Sequence, residues 1–251
     1  MYFNNVHILV YVVIAIAGFF IGKFVNWCNY RLPEYKKVFS KDIFRTKELE
    51  GYKPNLLLSL ITMLIYIVLL YVLGIQKTFL GNLNLIKGLI LTPMLLSAFV
   101  IDYKLQIIPN RLNLTMFEIG IVLMFLAGIF SANIAIDMFL GMLTGAGIFL
   151  LITLIGGLIA GKEAMGFGDV KLMGALGIFF GFVDTITITL MSFLIGAVLS
   201  ILLLATKIKK TDEYIPFGPF IVMAAFIAMV VPFSTIISAL LFIFSLGMIR
   251  N

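Results

Sequence analysis

Residues 134–160, "IAIDMFLGMLTGAGIFLLITLIGGLIA", decide the fold class because they form a long apolar run with a single acid. A helix needs about 20 apolar residues to cross the hydrocarbon core of a bilayer. The run lacks the alternation of a barrel strand, and a helix satisfies its own backbone hydrogen bonds in lipid. The stretch therefore predicts a transmembrane helix.

Similar runs recur on both sides of this segment, and the chain of 251 residues is 62% hydrophobic and only 12% charged. Such a composition is far from that of soluble domains. We predict an all-α polytopic membrane protein with about eight transmembrane helices. The expected spans are 6–27, 56–74, 88–101, 113–130, 134–160, 172–183, 185–206 and 216–248.

The first and last spans carry their own signals. No small-residue cleavage site follows the first run, so we expect a retained helix. The last run holds Pro232 in its middle, and proline removes a helical hydrogen bond and clashes with the preceding turn. We therefore expect this span to kink or to break into a hairpin.

The basic residues predict the orientation, because lysine and arginine stay on the cytoplasmic side. Alternate connections hold only Lys77 and Lys87, whereas the other connections hold 14 of the 18 basic residues. Both termini are therefore expected outside. The net charge of +6 fits this bias and anionic lipid at the inner leaflet, and it requires no nucleic-acid partner. The basic, cytoplasmic connections are 28–55, 102–112, 161–171 and 206–215.

This topology brings two aspartates to one membrane face. Asp102 ends the third predicted span, and Asp169 lies in "AMGFGDVKLMGALG" (164–177) at the mouth of the sixth. Two carboxylates that share a cleft cannot both ionise, so one can activate a water while the other, protonated, polarises a carbonyl. The pair could thus hydrolyse a peptide bond without a metal. By position alone, however, each acid is more simply a helix-terminal residue that faces water.

Glycines surround the second acid. Gly166 and Gly168 would allow a substrate backbone to come close, since neither has a Cβ. Gly174, Gly177 and Gly181 follow on one helix face, where small residues allow tight packing between membrane helices. We expect that packing to hold Asp169 in position.

Four segments carry a family resemblance. "KEAMGFGDVKLMGALG" (162–177) resembles the second catalytic segment of type IV prepilin peptidases, the membrane aspartyl proteases with a G-x-G-D motif. "IDYKLQIIPNRLN" (101–113) resembles their first aspartate segment. "IPFGPF" (215–220) and "GKFVNWCNYRLP" (22–33) are similar to segments that the family carries near its two ends.

The resemblance implies an activity and its residues. Such enzymes remove the basic leader of prepilins or pseudopilins at the cytoplasmic membrane face, with Asp102 and Asp169 as the catalytic pair. Gly166 and Gly168 would shape the approach of the scissile bond. The implied location is the bacterial inner membrane, and the implied partners are the pilin-like substrate and lipid.

The resemblance also implies a division of the chain. Residues 88–251 would form the peptidase region, and residues 1–87, with the loop 28–55, an N-terminal membrane region. Many members of the family methylate the new N-terminus with S-adenosylmethionine, a task associated with this N-terminal region. The family pattern there is kept at Gly22, Asn26, Tyr30 and Arg31.

The chain departs from the family at its cysteines. Many bacterial members carry two C-x-x-C pairs in the first cytoplasmic loop, a tetrathiolate pattern that would hold zinc. Here Cys28 is the one cysteine of the sequence. We therefore expect no zinc or other metal site, and no cofactor for proteolysis.

Other charged residues are weaker candidates. Lys104, Glu163 and Lys171 lie beside the two motifs and could orient the substrate or act on the pair electrostatically, although each could equally be an ordinary interfacial charge. Glu118 falls inside the fourth span, where an ionisable group is costly and therefore a functional candidate, unless it pairs with a basic residue at the interface. Asp137 and Asp184 fall at outward helix ends, which excludes them from catalysis.

Two other kinds of protein could use paired membrane acids. Presenilin-like proteases also use G-x-G-D, but their first acid follows a tyrosine, and their Pro-Ala-Leu motif is absent here. A small cation- or proton-coupled transporter would place its acids near the middle of the membrane and on broken helices. The predicted position of both acids at one interface favours the peptidase.

Overall fold

A computed structural model describes residues 2–3, 6–34, 36, 38, 52, 55–161, 165–207 and 215–244. The regular secondary structure in this part of the chain is helical apart from two residue pairs, β1 (Tyr2–Phe3) and β2 (Val6–His7), which pair antiparallel. The all-α prediction is confirmed. The helices are α1 (Ile8–Arg31), α2 (Leu56–Leu73), α3 (Phe79–Leu105), α4 (Asn110–Phe130), α5 (Ala132–Ala160), α6 (Phe167–Phe180), α7 (Phe182–Ala205), α8 (Gly218–Val230) and α9 (Phe233–Phe244).

Within the described ranges, six helices are long and apolar enough to cross a membrane, namely α1 to α5 and α7. The pair α8 and α9 would add a seventh span, although the two helices are bent by 118°. The multi-pass membrane protein is thus confirmed, with fewer full-length spans than the eight predicted. The difference lies in α6, whose 14 residues are too few to cross a bilayer alone.

The third span is longer than predicted and includes Lys87. The helix begins nine residues earlier because Thr78 caps it, accepting a hydrogen bond from the Gly81 N–H at 3.1 Å. The Asn82 side chain stabilises the turn before the helix by bonding to the backbone of Gln76. Lys87 therefore lies inside α3 and is buried, and its assignment to a connection was wrong.

The last span breaks at Pro232, as its proline predicted. The backbone at Val231 is extended, and α9 restarts at Phe233 with the Thr235 N–H bonded to the Pro232 carbonyl at 3.0 Å. Without an N–H of its own, the proline cannot continue the hydrogen-bond ladder of α8. The break therefore follows directly from the sequence.

The chain forms two compact units, residues 1–116 and 117–251. In the first unit, α1 and α2 run antiparallel and touch at Gly22, where a Cβ would overlap the Cα of Ser59. The Tyr66 hydroxyl of α2 donates a hydrogen bond of 2.6 Å to the Leu89 carbonyl of α3. These contacts join the three helices of this unit side by side.

In the second unit, α5 and α6 run antiparallel with their backbones in contact. A Cβ at Gly141 or Gly177 would overlap the backbone of the facing glycine, and one at Gly145 would overlap the carbonyl of Met173. Absent side chains thus let the two helices approach closely, as in other membrane helix pairs. The tight glycine packing predicted for this region is present.

Helix α5 extends well past the start of α6. Gly145 faces Met173, so one turn further along the antiparallel pair Phe149 is level with Asp169. From Phe149 to its end at Ala160, α5 rises about 16 Å more at 1.5 Å per residue. Its last turns are apolar and open, with Leu158 86% exposed.

Candidate active site

Asp102 lies in the last turn of α3 and is 5% exposed. Its carbonyl accepts the N–H of Gln106, which ends the helix in a left-handed conformation with φ of +57°. The chain then turns through Pro109, whose carbonyl accepts the N–H groups that begin α4. The Ile-Pro-Asn run thus forms the short connection that follows this acid.

Asp169 lies in the first turn of α6 and is 4% exposed. Its N–H donates a 3.0 Å hydrogen bond to the carbonyl of Gly166, the residue before the helix. The start of a helix favours negative charge, because unpaired N–H groups point along its axis. The G-x-G-D motif therefore places a buried carboxylate at a helix start.

Gly166 lies beside that carboxylate. A Cβ built on Gly166 would come 3.5 Å from the Oδ2 atom of Asp169, an ordinary contact distance. Any larger side chain at position 166 would extend over the acid. The glycine therefore keeps side-chain atoms away from this oxygen of the carboxylate.

The charged residues expected to support the acids are placed differently from one another. Lys104 follows Asp102 by half a turn and is exposed. Lys171 is half-buried, with its Nζ 5.3 Å from the ring centroid of Phe167. Glu163 lies outside the described residues, and Glu118 is exposed on α4.

Two residues of the N-terminal pattern have structural partners. The Asn26 amide nitrogen donates to the Gly22 carbonyl at 3.0 Å and to the Asn55 carbonyl at 2.9 Å. Its oxygen accepts the Asn55 N–H at 3.1 Å. Asn26 therefore joins the two ends of the loop 28–55, while Gly22 allows α1 to touch α2.

The other two residues of that pattern are Tyr30 and Arg31. Tyr30 belongs to an aromatic cluster with Trp27 and Tyr52, in which the ring centroids lie 5.5–6.2 Å apart. The buried Arg31 guanidinium lies 4.9 Å from the Trp27 ring centroid. Partial burial, followed by the nearby Cys28 thiol, raises the pKa of Tyr52. The Tyr52 hydroxyl therefore stays protonated at neutral pH, and it donates to the Lys23 carbonyl at 3.4 Å.

The "IPFGPF" segment packs helices together. Phe217 lies 6.0 Å from Phe149 and 5.0 Å from Phe193, measured between ring centroids, and thereby joins α5 and α7 to the start of α8. Phe220 packs against Gly196 of α7. This segment contributes to the core of the second unit.

Asp137 has a role that the sequence did not reveal. Its Oδ1 accepts the N–H of Phe182 at 3.1 Å, across 45 residues, and so caps the start of α7. The carboxylate also lies against Gly181, the single residue between α6 and α7. No local pattern signals such a pairing, since the two partners come from different helices.

Among the residues that the structure describes, no group of three or more His, Cys, Asp or Glu side chains could hold a metal ion. Asp102 belongs to the first compact unit, and Asp169 belongs to the second.

Comparison with known proteins identifies the central region. Residues 89–201 match the model described as the Type IV leader peptidase family. Proteins named "Prepilin leader peptidase/N-methyltransferase" are similar to this chain in Aeromonas hydrophila (31% identity over 57% of this chain and 49% of the relative). The same name applies in Legionella pneumophila (31%, 59% and 50%) and in Pseudomonas aeruginosa (33%, 56% and 48%).

The chain spans about half the length of the curated relatives it matches. No solved structure matches it. The part of the chain that matches the Type IV leader peptidase family is thus residues 89–201, with Asp102 and Asp169 inside them.

Proposed function

We propose that this chain is an aspartic endopeptidase of the bacterial inner membrane that removes the basic leader of a type IV prepilin or pseudopilin. The observation that carries the proposal is the burial of Asp102 and Asp169 at helix ends within the matched region. Buried acids in membrane helices are costly and are retained mainly for function.

The proposed reaction uses one aspartate as a base and the other as an acid. The ionised carboxylate removes a proton from water, which attacks the scissile carbonyl carbon. The protonated carboxyl donates its proton to the carbonyl oxygen. Collapse of the tetrahedral intermediate breaks the C–N bond. The carboxyl that took the proton from water gives it to the departing amine, and the other carboxylate regains its proton from a hydroxyl of the intermediate as the new carboxyl group forms. Gly166 supports this proposal because it places no side chain beside the Asp169 carboxylate, 3.5 Å from where a Cβ would lie.

N-methylation is proposed as a second activity of the N-terminal region. S-Adenosylmethionine, when bound, would supply the methyl group. The region contains the Tyr30 ring and the buried Arg31 guanidinium, and groups of this chemistry suit the adenine ring and the carboxylate of that ligand. Gly22 and Asn26 would act indirectly, since both are engaged in joining α1 to α2 and to Asn55.

The test is co-expression with a prepilin, followed by mass spectrometry of the product's N-terminus. We expect Asp102→Asn and Asp169→Asn each to lower cleavage by roughly 10²–10⁴-fold, the usual contribution of a general acid or base. Asp184→Asn is the matched control, because Asp184 lies in the first turn of α7, at the far end of α6 from Asp169. Near-normal cleavage by either Asp102→Asn or Asp169→Asn would refute the peptidase assignment. The same spectra report the added methyl group.

A further inference from the structure

Asn29 has a buried amide group that the proposed chemistry leaves unused. It lies in the last turn of α1, and neither its amide nitrogen nor its amide oxygen has a hydrogen-bond partner in the described structure. Both atoms are also screened from solvent. An amide in that state loses its bonds to water without replacement, which makes it costly to the fold.

The helix face of Asn29 explains its burial. Gly22, Val25 and Leu32 fall on the same side of α1 and are all buried, Val25 to 1% exposure. One turn before Asn29, Asn26 makes three hydrogen bonds with backbone groups. Two amides of the same chemistry thus occupy one face, and only Asn26 is satisfied by the fold.

The helix contacts place Asn29 near the height of Asp102. Asn26 is level with Asn55 through their hydrogen bonds, and α2 runs antiparallel to α3 with Leu69 against Gly88. Counting 14 residues back from Leu69 and forward from Gly88 puts Asn55 level with Asp102. Asn29 therefore lies within about one helical turn, roughly 5 Å, of that height.

We infer that the Asn29 amide binds a backbone peptide group of the substrate segment that reaches Asp102. A side-chain amide presents a donor and an acceptor side by side, which match the C=O and N–H of an extended chain. Protein atoms screen the amide from solvent, so a peptide that binds the amide has to displace those atoms. This inference rests on the proposed peptidase function.

The test measures binding separately from cleavage. A synthetic peptide that contains a basic prepilin leader and the first mature residues is titrated into full-length Asp169→Asn protein in detergent, with and without Asn29→Leu. We expect Asn29→Leu to weaken the peptide Kd about tenfold, the value of one lost neutral hydrogen-bonded pair. Asn84→Leu, which changes an exposed asparagine of α3, should leave the Kd unchanged.

Thermal unfolding distinguishes binding from a structural role. Leucine removes unsatisfied polar atoms, so Asn29→Leu should unfold at the same temperature as its parent or higher. Earlier unfolding, an unchanged Kd, or no peptide binding by the Asp169→Asn parent would each overturn the inference. An effect confined to methylation would also overturn it and assign the amide to the methyl donor. The proposed function fails separately, if protein with both aspartates does not cleave the prepilin.

Discussion

Gly181 shows how much one residue of this chain determines. It is the single residue between α6 and α7, its φ is +82°, and a Cβ there would overlap the Asp137 carboxylate. That carboxylate caps α7 through Phe182. Side chains other than hydrogen are therefore excluded at position 181 by backbone conformation and by contact.

We expect Gly181→Ala to lower the free energy of unfolding by at least about 2 kcal/mol. Backbone strain alone costs about 1–3 kcal/mol, and the overlap of the new Cβ with the Asp137 carboxylate adds to that cost. Gly161→Ala is the control, because Gly161 also has positive φ (+65°) but has no atom within 4 Å of an added Cβ. The measurement is thermal and denaturant unfolding in detergent. Equal losses for the two variants would show that contact with Asp137 contributes nothing.

The sequence indicated two acids as catalytic candidates but did not indicate the contacts around them. Asp102 and Asp169 could be singled out because motif and charge pattern are local properties of the chain, and their catalytic role stays a prediction. The clamp between Asn26 and Asn55 and the cap from Asp137 to Phe182 join residues that are 29 and 45 positions apart. Such pairs depend on how helices pack, which no single segment encodes.

At the scale of elements, the packing of α5 on α6 positions Asp169. Gly141, Gly145 and Gly177 bring the two backbones into contact, and α6 is almost wholly buried behind them. Buried membrane helices have little room to adjust, because protein interiors are close-packed. A larger side chain at one of these glycines is therefore expected to move the start of α6.

We predict that Gly177→Val separates α5 from α6 and displaces Asp169. The expected loss of stability is about 1–3 kcal/mol or more, as for other overpacked cores, with cleavage reduced at least tenfold. Gly147→Ala on the same α5 is the control, since an added Cβ at Gly147 meets no atom within 4 Å. That change should be neutral or slightly stabilising through helix propensity. Prepilin cleavage and unfolding are measured together, and normal cleavage by Gly177→Val would contradict the prediction.

Helix ends were predicted well where the neighbouring sequence contains a proline or another local signal. The break at Pro232 is the clearest case, because proline cannot donate to the preceding turn. The start of α3 was missed because Asn82, Asn84 and Lys87 resemble a polar connection. In the structure Lys87 is buried within α3, and this burial depends on how the helices of the unit pack together.

For the whole molecule, composition alone established an all-α membrane protein, whereas the number of full-length spans depended on α6. The orientation stays a prediction from the distribution of basic residues. It places Lys77 outside and Lys104 in the cytoplasm, and both side chains are exposed. The two positions can therefore report on the two sides of the membrane.

We predict the labelling pattern of single-cysteine proteins in spheroplasts. Cys28 is the one native cysteine and is buried, so Cys28→Ala provides a clean background. In it, Lys77→Cys should react with a membrane-impermeant maleimide applied to spheroplasts, and Lys104→Cys only after permeabilisation. Immediate labelling at position 104 with protection at position 77 would reverse the assigned orientation.

The length of α5 beyond the level of Asp169 limits what can be cut. The acid lies about 16 Å along the helix pair from the end of α5, so on this side a helix extends beyond it. Under the proposed function, a folded substrate that approached from this side would meet the end of α5 before it met Asp169. An extended segment of the substrate would pass that helix more easily than a compact domain.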